Sequence, residues 1–597
     1  RHRPVTLTRG RVNIPNDYAL RVGRLRCYHA DETAGQTTAE EQMTDRAWWQ
    51  EAVVYQIYPR SFNDTDGDGI GDLQGIIDRV GYIEDLGVDA VWLSPIYRSP
   101  QYDNGYDVAD YRAIDPLFGS MDTFDELLET LHDRDIRLIM DMVVNHSSSE
   151  HDWFEASRTD PEGPYGDFYI WRDGDPDTPP NNWESAFGGP AWSFDDTRGA
   201  WYLHLFDVHQ PDLNWENPAV RSAIIEVMGW WFEKGLDGYR MDAVNLLSKI
   251  EGLPDGDPEA EWVGQEHFIN GPRLLEFLMM MHDEVFAGTD TMVVGEMPQL
   301  DVAEAHEFID GGPFDLVFPF EHVDLDFGPG GRWDVRPIEL SELKAVFDKW
   351  QRAMAQSGWN TLFFENHDQP RSVSRFGDDT TYRYESATAL ATILFGLRGT
   401  PFIYQGQEIG MTNRTFPTLQ SVHDVDTIRN VQAKLDAGEI GSYEEIQPVI
   451  EHRSRDNSRT PVQWDDSHAA GFTTGDPWIA VNPNYPEVNV ATEEERDASI
   501  LRYYRELIAL RSTDQTLIDG EYELLAPAHE ALYIFTRTAE ADQRLVAINL
   551  SADEETIELT ELQDDAEVLI GNYDGSAPGG PELRLAPYEA RIYQQEV

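Results

Sequence analysis

Four short segments each place a carboxylate or an imidazole at or just past the end of an expected strand. They are Asp141-Met-Val-Val-Asn145-His146, Gly238-Tyr-Arg240-Met-Asp242, Gly295-Glu296-Met-Pro298 and Glu365-Asn-His367-Asp368-Gln369. One acid at a strand end is commonly no more than a helix cap. Four such ends can build one rim, and paired carboxylates on a rim suit the cleavage of a glycosidic bond. That reaction needs one carboxylate to attack or stabilise the anomeric carbon and one carboxylic acid to protonate the leaving oxygen. Arg240, two residues before Asp242, faces the same side of an extended strand. Its guanidinium is expected to keep Asp242 ionised. The proton donor must instead retain its proton near neutral pH, through burial and a like-charged neighbour.

A second acidic cluster is independent of these. Asp64-Thr-Asp66-Gly-Asp68-Gly-Ile70-Gly-Asp72 sets acids at positions 1, 3, 5 and 9 of a loop, with glycines where it must turn. With the Ile70 carbonyl at position 7, this matches the first nine positions of an EF-hand-type calcium loop. Position 12 is Gly75 in place of the bidentate Glu. The many flexible carboxylates favour Ca²⁺ over Mg²⁺.

From Ala52 onward, β-branched runs alternate with amphipathic stretches, the pattern of a parallel α/β fold. Strands are expected at Ala52–Tyr58, Val88–Leu93, Arg137–Val144, Gly238–Met241, Thr291–Gly295, Leu316–Phe320, Asn360–Phe364 and Pro401–Tyr404. Helical patterns lie between them, among them Leu73–Leu86, Phe124–Arg134 and Ala219–Phe232. Eight strands with intervening helices suggest a (β/α)₈ TIM barrel, whose active site forms past the strands' C-terminal ends. A large doubly wound sheet has a similar pattern. The connection between His146 and Gly238 is too long for a loop, so 147–212 is assigned to a small domain inserted after strand three. The barrel then occupies 47–146 and 213–516. Short alternating strands from 517 to 597 indicate a C-terminal β-sandwich.

The chain has 597 residues, with 110 acids against 45 bases, a net charge of −65. Such a surface repels nucleic acid and anionic lipid. No apolar run reaches the length that spans a membrane. Only five of the bases are lysines, and the acids are spread along the chain, a pattern expected of a protein adapted to high salt. Residues 1–46 stand apart: seven Arg and a single acid fall between Arg1 and Cys27, and Met43 precedes the first well-patterned stretch. They are expected to be a disordered or non-native extension. The extension lacks the apolar stretch of a secretory signal, so a cytoplasmic location is expected. Cys27 is alone, which excludes a disulfide framework and a cysteine metal site.

The four rim segments, with Gln210-Pro-Asp-Leu-Asn214 and the stretch Ser454-Arg-Asp-Asn-Ser-Arg-Thr-Pro-Val-Gln-Trp-Asp465 followed by Gly471-Phe-Thr-Thr-Gly475, resemble the α-amylase superfamily, glycoside hydrolase family 13. The nearest likeness is to its oligo-1,6-glucosidase and α-glucosidase group. It covers roughly residues 47–597. The resemblance implies Asp242 as nucleophile, Glu296 as general acid/base and Asp368 as the carboxylate that grips the 2- and 3-hydroxyls. It implies a glucose subsite built from Asp103, Tyr106, His146 and Phe206, with Gln210, Arg240, His367 and Arg455. Asp103 and Arg455 would close that pocket, giving exo-action on short oligosaccharides and disaccharides, with transglucosylation as a possible side reaction. It also implies a structural Ca²⁺ in the 64–72 loop.

In this group the residue after the nucleophile correlates with linkage, Val with α-1,6 and Thr with α-1,4. Here it is Ala243, and Glu365 replaces an Asn common in α-1,6-preferring members. The neighbouring subsite is therefore expected to be roomy and permissive, for an α-glucosidase of the maltose and isomaltose type. Alternatives are a strict oligo-1,6-glucosidase, a sugar isomerase and a catalytically silent binding homologue. Sucrose isomerases carry an Arg-rich stretch after the sixth strand, where this chain has His322-Val-Asp324-Leu-Asp326-Phe. The three carboxylates argue against a silent homologue.

Overall fold

The computed structural model describes residues 46–575 and 578–597. The extension expected over 1–46 therefore lies, apart from Arg46, outside the described residues. Eight parallel strands form the central sheet: β1 Val54–Ile57, β2 Ala90–Leu93, β3 Arg137–Val143, β4 Gly238–Asp242, β5 Met292–Glu296, β6 Leu316–Phe318, β7 Thr361–Leu362 and β8 Thr400–Tyr404. Their order is β6-β5-β4-β3-β2-β1-β8-β7. The seam between β6 and β7 is bridged by the Thr361 hydroxyl, which donates to the Val317 carbonyl at 2.8 Å. The sheet thus forms a nearly closed barrel.

Strand periodicity explains its two cores. Val54, Ala90, Trp92, Ile139 and Val294 belong to the cluster inside the barrel, while their neighbours Tyr55, Val91, Leu93 and Val293 pack outward against the helices. Gly238 permits close strand approach, since a Cβ there would sit 2.1 Å from the Met292 carbonyl oxygen. The helix expected over Leu73–Leu86 is two helices, Leu73–Asp78 and Val80–Leu86, broken at Arg79. Arg79 leaves helical geometry and lays its guanidinium over the Trp464 ring at 4.1 Å.

Within 147–212 the chain forms a helix, Asp152–Thr159, and a three-stranded antiparallel sheet of Trp171–Arg172, Ala200–Leu203 and Trp192–Asp195. A second excursion, after β4, packs against it: the Trp183 indole donates to the Pro254 carbonyl at 2.9 Å, and the Glu184 amide to Val263 at 3.1 Å. Residue spacing alone does not reveal this partner.

Beyond the barrel come β9 Glu521–Leu525, β10 Leu532–Ala539, β11 Asp542–Asn549, β12 Glu555–Glu558, β13 Glu567–Gly571, β14 Glu582–Leu585 and β15 Ala590–Glu596. They form two antiparallel sheets, β9-β10-β11-β15-β13 and β12-β14. Ile534 and Leu545 from the first share a core with Leu583 and Leu585 from the second, the packing of a sandwich. Among the described residues no helix is long and apolar enough to cross a membrane.

Candidate active site

The C-terminal ends of β3, β4, β5 and β7 converge as expected of a barrel rim. Arg240 and Asp242 project to the same side of β4, and Arg240 Nη1 lies 2.6 Å from Asp242 Oδ1. The same nitrogen is 2.6 Å from Asp141 Oδ1, and Nη2 is 2.6 Å from Glu296 Oε1. One buried guanidinium therefore joins three carboxylates. Glu296 Oε2 accepts the amide N–H of Ala243 at 2.9 Å. Ala243 holds left-handed backbone angles (φ 40°, ψ 39°), which turn its N–H toward the acid.

Asp368 is held from the other side. Arg459 Nη2 is 2.6 Å and Arg455 Nη1 3.3 Å from its Oδ1. Arg455 also reaches Asp103 Oδ1 at 3.3 Å and Asp424 Oδ1 at 2.7 Å. The Gln210 amide donates to Asp103 Oδ2 and contacts His146 Nε2, both at 3.1 Å. Tyr106 lies parallel to the His367 ring, centroids 5.2 Å apart, and its hydroxyl is 2.6 Å from His367 Nε2.

These groups surround a cavity of about 230 Å³, smaller than the roughly 300–1,000 Å³ of sites for drug-sized ligands. Asp103, Tyr106, His146, Phe206, Gln210 and Arg455 line it, together with Asp242, Glu296, Asp368 and Ala243. Arg240 and His367 lie behind this lining and act on it through the contacts above. Glu365 departs from expectation. It is buried away from the cavity, paired with Arg371 at 3.3 Å and accepting the Ser372 amide N–H. Its charge is spent on holding the β7 end, so it does not set the shape of the cavity. Asp141, Arg459 and Asp424 were not singled out as site residues. Nor was Trp262, which reaches the cavity from the excursion after β4. Arg459 and Asp424 come from segments remote in sequence, and only the Arg-rich motif 454–459 hinted at the first.

Burial dominates the electrostatics. It raises Glu296 to about 7, against the opposing pull of Arg240 and with help from Asp242 and Asp368. It also raises Asp242 to about 7, so Arg240 does not hold that group low as expected. Desolvation of the whole cluster outweighs one guanidinium shared among three acids. Asp103 is raised to about 7 by the same cause. Burial opposes ionisation of Asp368 too, but His367 when protonated, then Arg455, Arg459 and Arg240 hold it well below the usual carboxylate range. Burial lowers His367 to about 3, leaving it neutral at pH 7, so near neutrality the arginines keep Asp368 charged. Burial likewise lowers His146 to about 4.

The acidic loop follows β1. Carboxylate oxygens of Asp64, Asp66 and Asp72 lie within 4.8 Å of one another. Asp64 Oδ2 accepts the Gly69 amide at 2.8 Å and the Thr473 hydroxyl, and Asp72 Oδ1 accepts the Gly75 amide at 2.7 Å as helix cap. Three converging carboxylates fit a hard cation. Asp68 is outside that group and exposed, and its Oδ1 accepts the Ile70 amide at 2.8 Å.

An α/β barrel carrying two guanidinium-bridged carboxylates and a third held by arginines defines a glycoside hydrolase. Residues 56–520 match the family model described as the alpha-amylase catalytic domain, and 532–592 match the alpha-amylase SusG C-terminal domain. The chain belongs to the α-amylase family. It is 49% identical over 559 residues to an oligo-1,6-glucosidase of Parageobacillus thermoglucosidasius, covering 92% of this chain and 99% of that protein. It is 44% identical to a trehalose-6-phosphate hydrolase of Bacillus licheniformis of known structure, with a TM-score of 0.87 over 92% of this chain and all of the other. A trehalulose synthase structure matches at 42% identity and a TM-score of 0.89, again over 92% of this chain and all of the other.

Proposed function

We propose that the protein is a retaining, exo-acting α-glucosidase that removes terminal α-linked glucose from disaccharides and short oligosaccharides. The observation that carries this reading is a cavity of single-ring size with Asp242 and Glu296 on one guanidinium and Asp103 paired to Arg455 across its lining. Asp242 and Glu296 each lie 2.6 Å from a different terminal nitrogen of Arg240, which makes them neighbours, as double displacement with carboxyls about 5–5.5 Å apart requires. The oligo-1,6-glucosidase relatives support acceptance of α-1,6 linkages.

In this mechanism the Asp242 carboxylate attacks the anomeric carbon. The bond to the leaving oxygen breaks as Glu296 gives that oxygen its proton. A glucosyl ester on Asp242 results. Glu296, now a carboxylate, takes a proton from water, which attacks the same carbon and frees Asp242 with the α-configuration restored. Two carboxyls raised to about 7 share roughly one proton at neutrality, and the first step proceeds from the form in which Glu296 carries it. Asp368, kept ionised, accepts hydrogen bonds from ring hydroxyls and favours the cationic transition state. Asp64, Asp66 and Asp72 would hold a Ca²⁺, which supplies the charge that lets three acids share one loop. The charge of −65 supports a saline working environment.

Glucose release from maltose, isomaltose and sucrose at high salt tests this. Free glucose from maltose or isomaltose supports the reading. Rearranged disaccharide from sucrose without hydrolysis would indicate an isomerase, and no turnover of any sugar a binding homologue.

A further inference from the structure

A larger cavity, of about 920 Å³, lies behind one wall of the catalytic one. Two chain segments separate them and face both ways. On the first, Asp103 and Tyr106 line the catalytic cavity while Arg98 and Tyr111 line the other. On the second, His146 faces the first cavity and His151 the second. The Tyr111 hydroxyl ties the segments together by donating to the His146 carbonyl at 2.9 Å.

His151 supplies a donor to this cavity. Its side chain is buried, with 6% of the residue's surface exposed. Its Nδ1 accepts the Trp153 amide at 3.0 Å, capping helix Asp152–Thr159. Burial lowers its pKa to about 4, so at neutral pH the ring is uncharged and its proton sits on Nε2. Among the described residues no protein group accepts from that Nε2–H, which is open to the cavity and not sealed in the core. Beside it, Tyr165 is 36% exposed and packs edge-on to Phe168 at 4.8 Å, and Trp153 lies 4.3 Å from His151. The cavity therefore offers aromatic side chains together with a fixed donor.

The charges of the lining select the ligand. Asp110, Glu150, Asp152 and Glu226 oppose Arg98 and Arg112, and the whole chain is strongly acidic, so an anion is repelled. A simple cation offers no acceptor to the His151 Nε2–H. A neutral polyhydroxylated ring both accepts and donates, and its apolar face covers an aromatic side chain. We propose that this cavity is a second carbohydrate site, distinct from the catalytic one, with Tyr165 as its platform and His151 Nε2–H as its donor. The inference rests on the proposed function only for the sugar used as probe.

The test is isothermal titration of maltose into the full chain carrying Asp242→Asn, which prevents turnover. Two sites per chain are expected. Adding Tyr165→Ala, or His151→Asn, should weaken the second site at least tenfold and leave the first unchanged. Asn keeps the helix cap while removing the Nε2–H, and a thermal melt checks that the fold survives. In the otherwise unaltered enzyme the same two substitutions should leave kcat/KM at low substrate unchanged. Inorganic phosphate should not displace maltose. One site or none with maltose up to about 10 mM, a second site indifferent to both substitutions, or displacement by phosphate would each overturn the proposal. If the enzyme hydrolyses maltose yet titrates as one site, this inference fails and the proposed function stands.

Discussion

Arg240 touches three acids at once, so removing any of them changes the charge balance of the rest. Asp242→Asn and Glu296→Gln each delete a group that acts only in the transition state, and kcat should fall at least about 10³-fold with the far-ultraviolet spectrum and melting temperature nearly intact. Comparable activity in either variant would refute its role. The Asp242–Glu296–Asp368 set was legible through the resemblance of its segments to the α-amylase family, with Asp242 and Glu296 closing β4 and β5 and Asp368 lying beyond β7. Its electrostatics were not. The sequence shows that Arg240 accompanies Asp242 but not that the same guanidinium serves Asp141 and Glu296. Ala243 combines two effects. Its Cβ lines the cavity, and its left-handed backbone aims its N–H at Glu296. Ala243→Val should raise the ratio of α-1,6 to α-1,4 kcat/KM and Ala243→Thr should lower it, by roughly 10–200-fold. Both β-branched residues are strained at φ 40°, and each should cost about 1–3 kcal/mol of stability in a denaturant melt. A ratio that stays within about twofold in both would show that this position does not set preference.

The elements around the site were uneven in legibility. Seven of the eight barrel strands carry β-branched residues, β4 being the exception, and burial on both faces made the apolar runs nearly continuous. The excursion after β4 escaped notice because it has little regular structure to give a period. Its Trp262 nevertheless reaches the cavity. Glu365 was misjudged for a related reason: strand spacing places a residue at the rim but cannot say that Arg371 waits behind it. The 64–72 loop docks on a distant segment, with the Asp64 amide donating to the Phe472 carbonyl at 2.9 Å and Trp478 to Gly69 at 2.9 Å. A cation held there would stiffen the joint between β1 and the 472–478 segment. Chelation should therefore lower the melting temperature by a few degrees while leaving the linkage ratio unchanged, because ligand loss destabilises only the folded state. An unchanged melt after verified metal removal, or metal-free purified protein, would contradict the proposed Ca²⁺.

At the scale of the whole molecule, −65 charges repel across a Debye length of about 30 Å at 0.01 M salt and about 3 Å at 1 M. Stability and activity should rise together from dilute buffer to about 2 M KCl. Full activity and an unchanged melt in millimolar salt would show that the charge serves solubility alone. Acid should partly replace salt. Glu296 and Asp103 have folded values near 7 against unfolded values of 4.5 and 3.8, so between about pH 7 and 4 the folded state binds more protons. Their contribution to stability grows as pH falls through that window and is lost as pH rises through 7. Asp368 runs the other way, but its depressed value confines its loss to strongly acid solution. Melting temperature at low salt should therefore increase from pH 7.5 to about 5. The overall fold and surface thus set the conditions of work, and the product reports the chemistry. Time-resolved proton NMR of methyl α-glucoside hydrolysis reads that product directly, since all the glucose comes from the reacting ring. α-Glucose forming first, and only later equilibrating with the β-anomer, is the result expected of Asp242 and Glu296 acting by double displacement. β-Glucose forming first would contradict it.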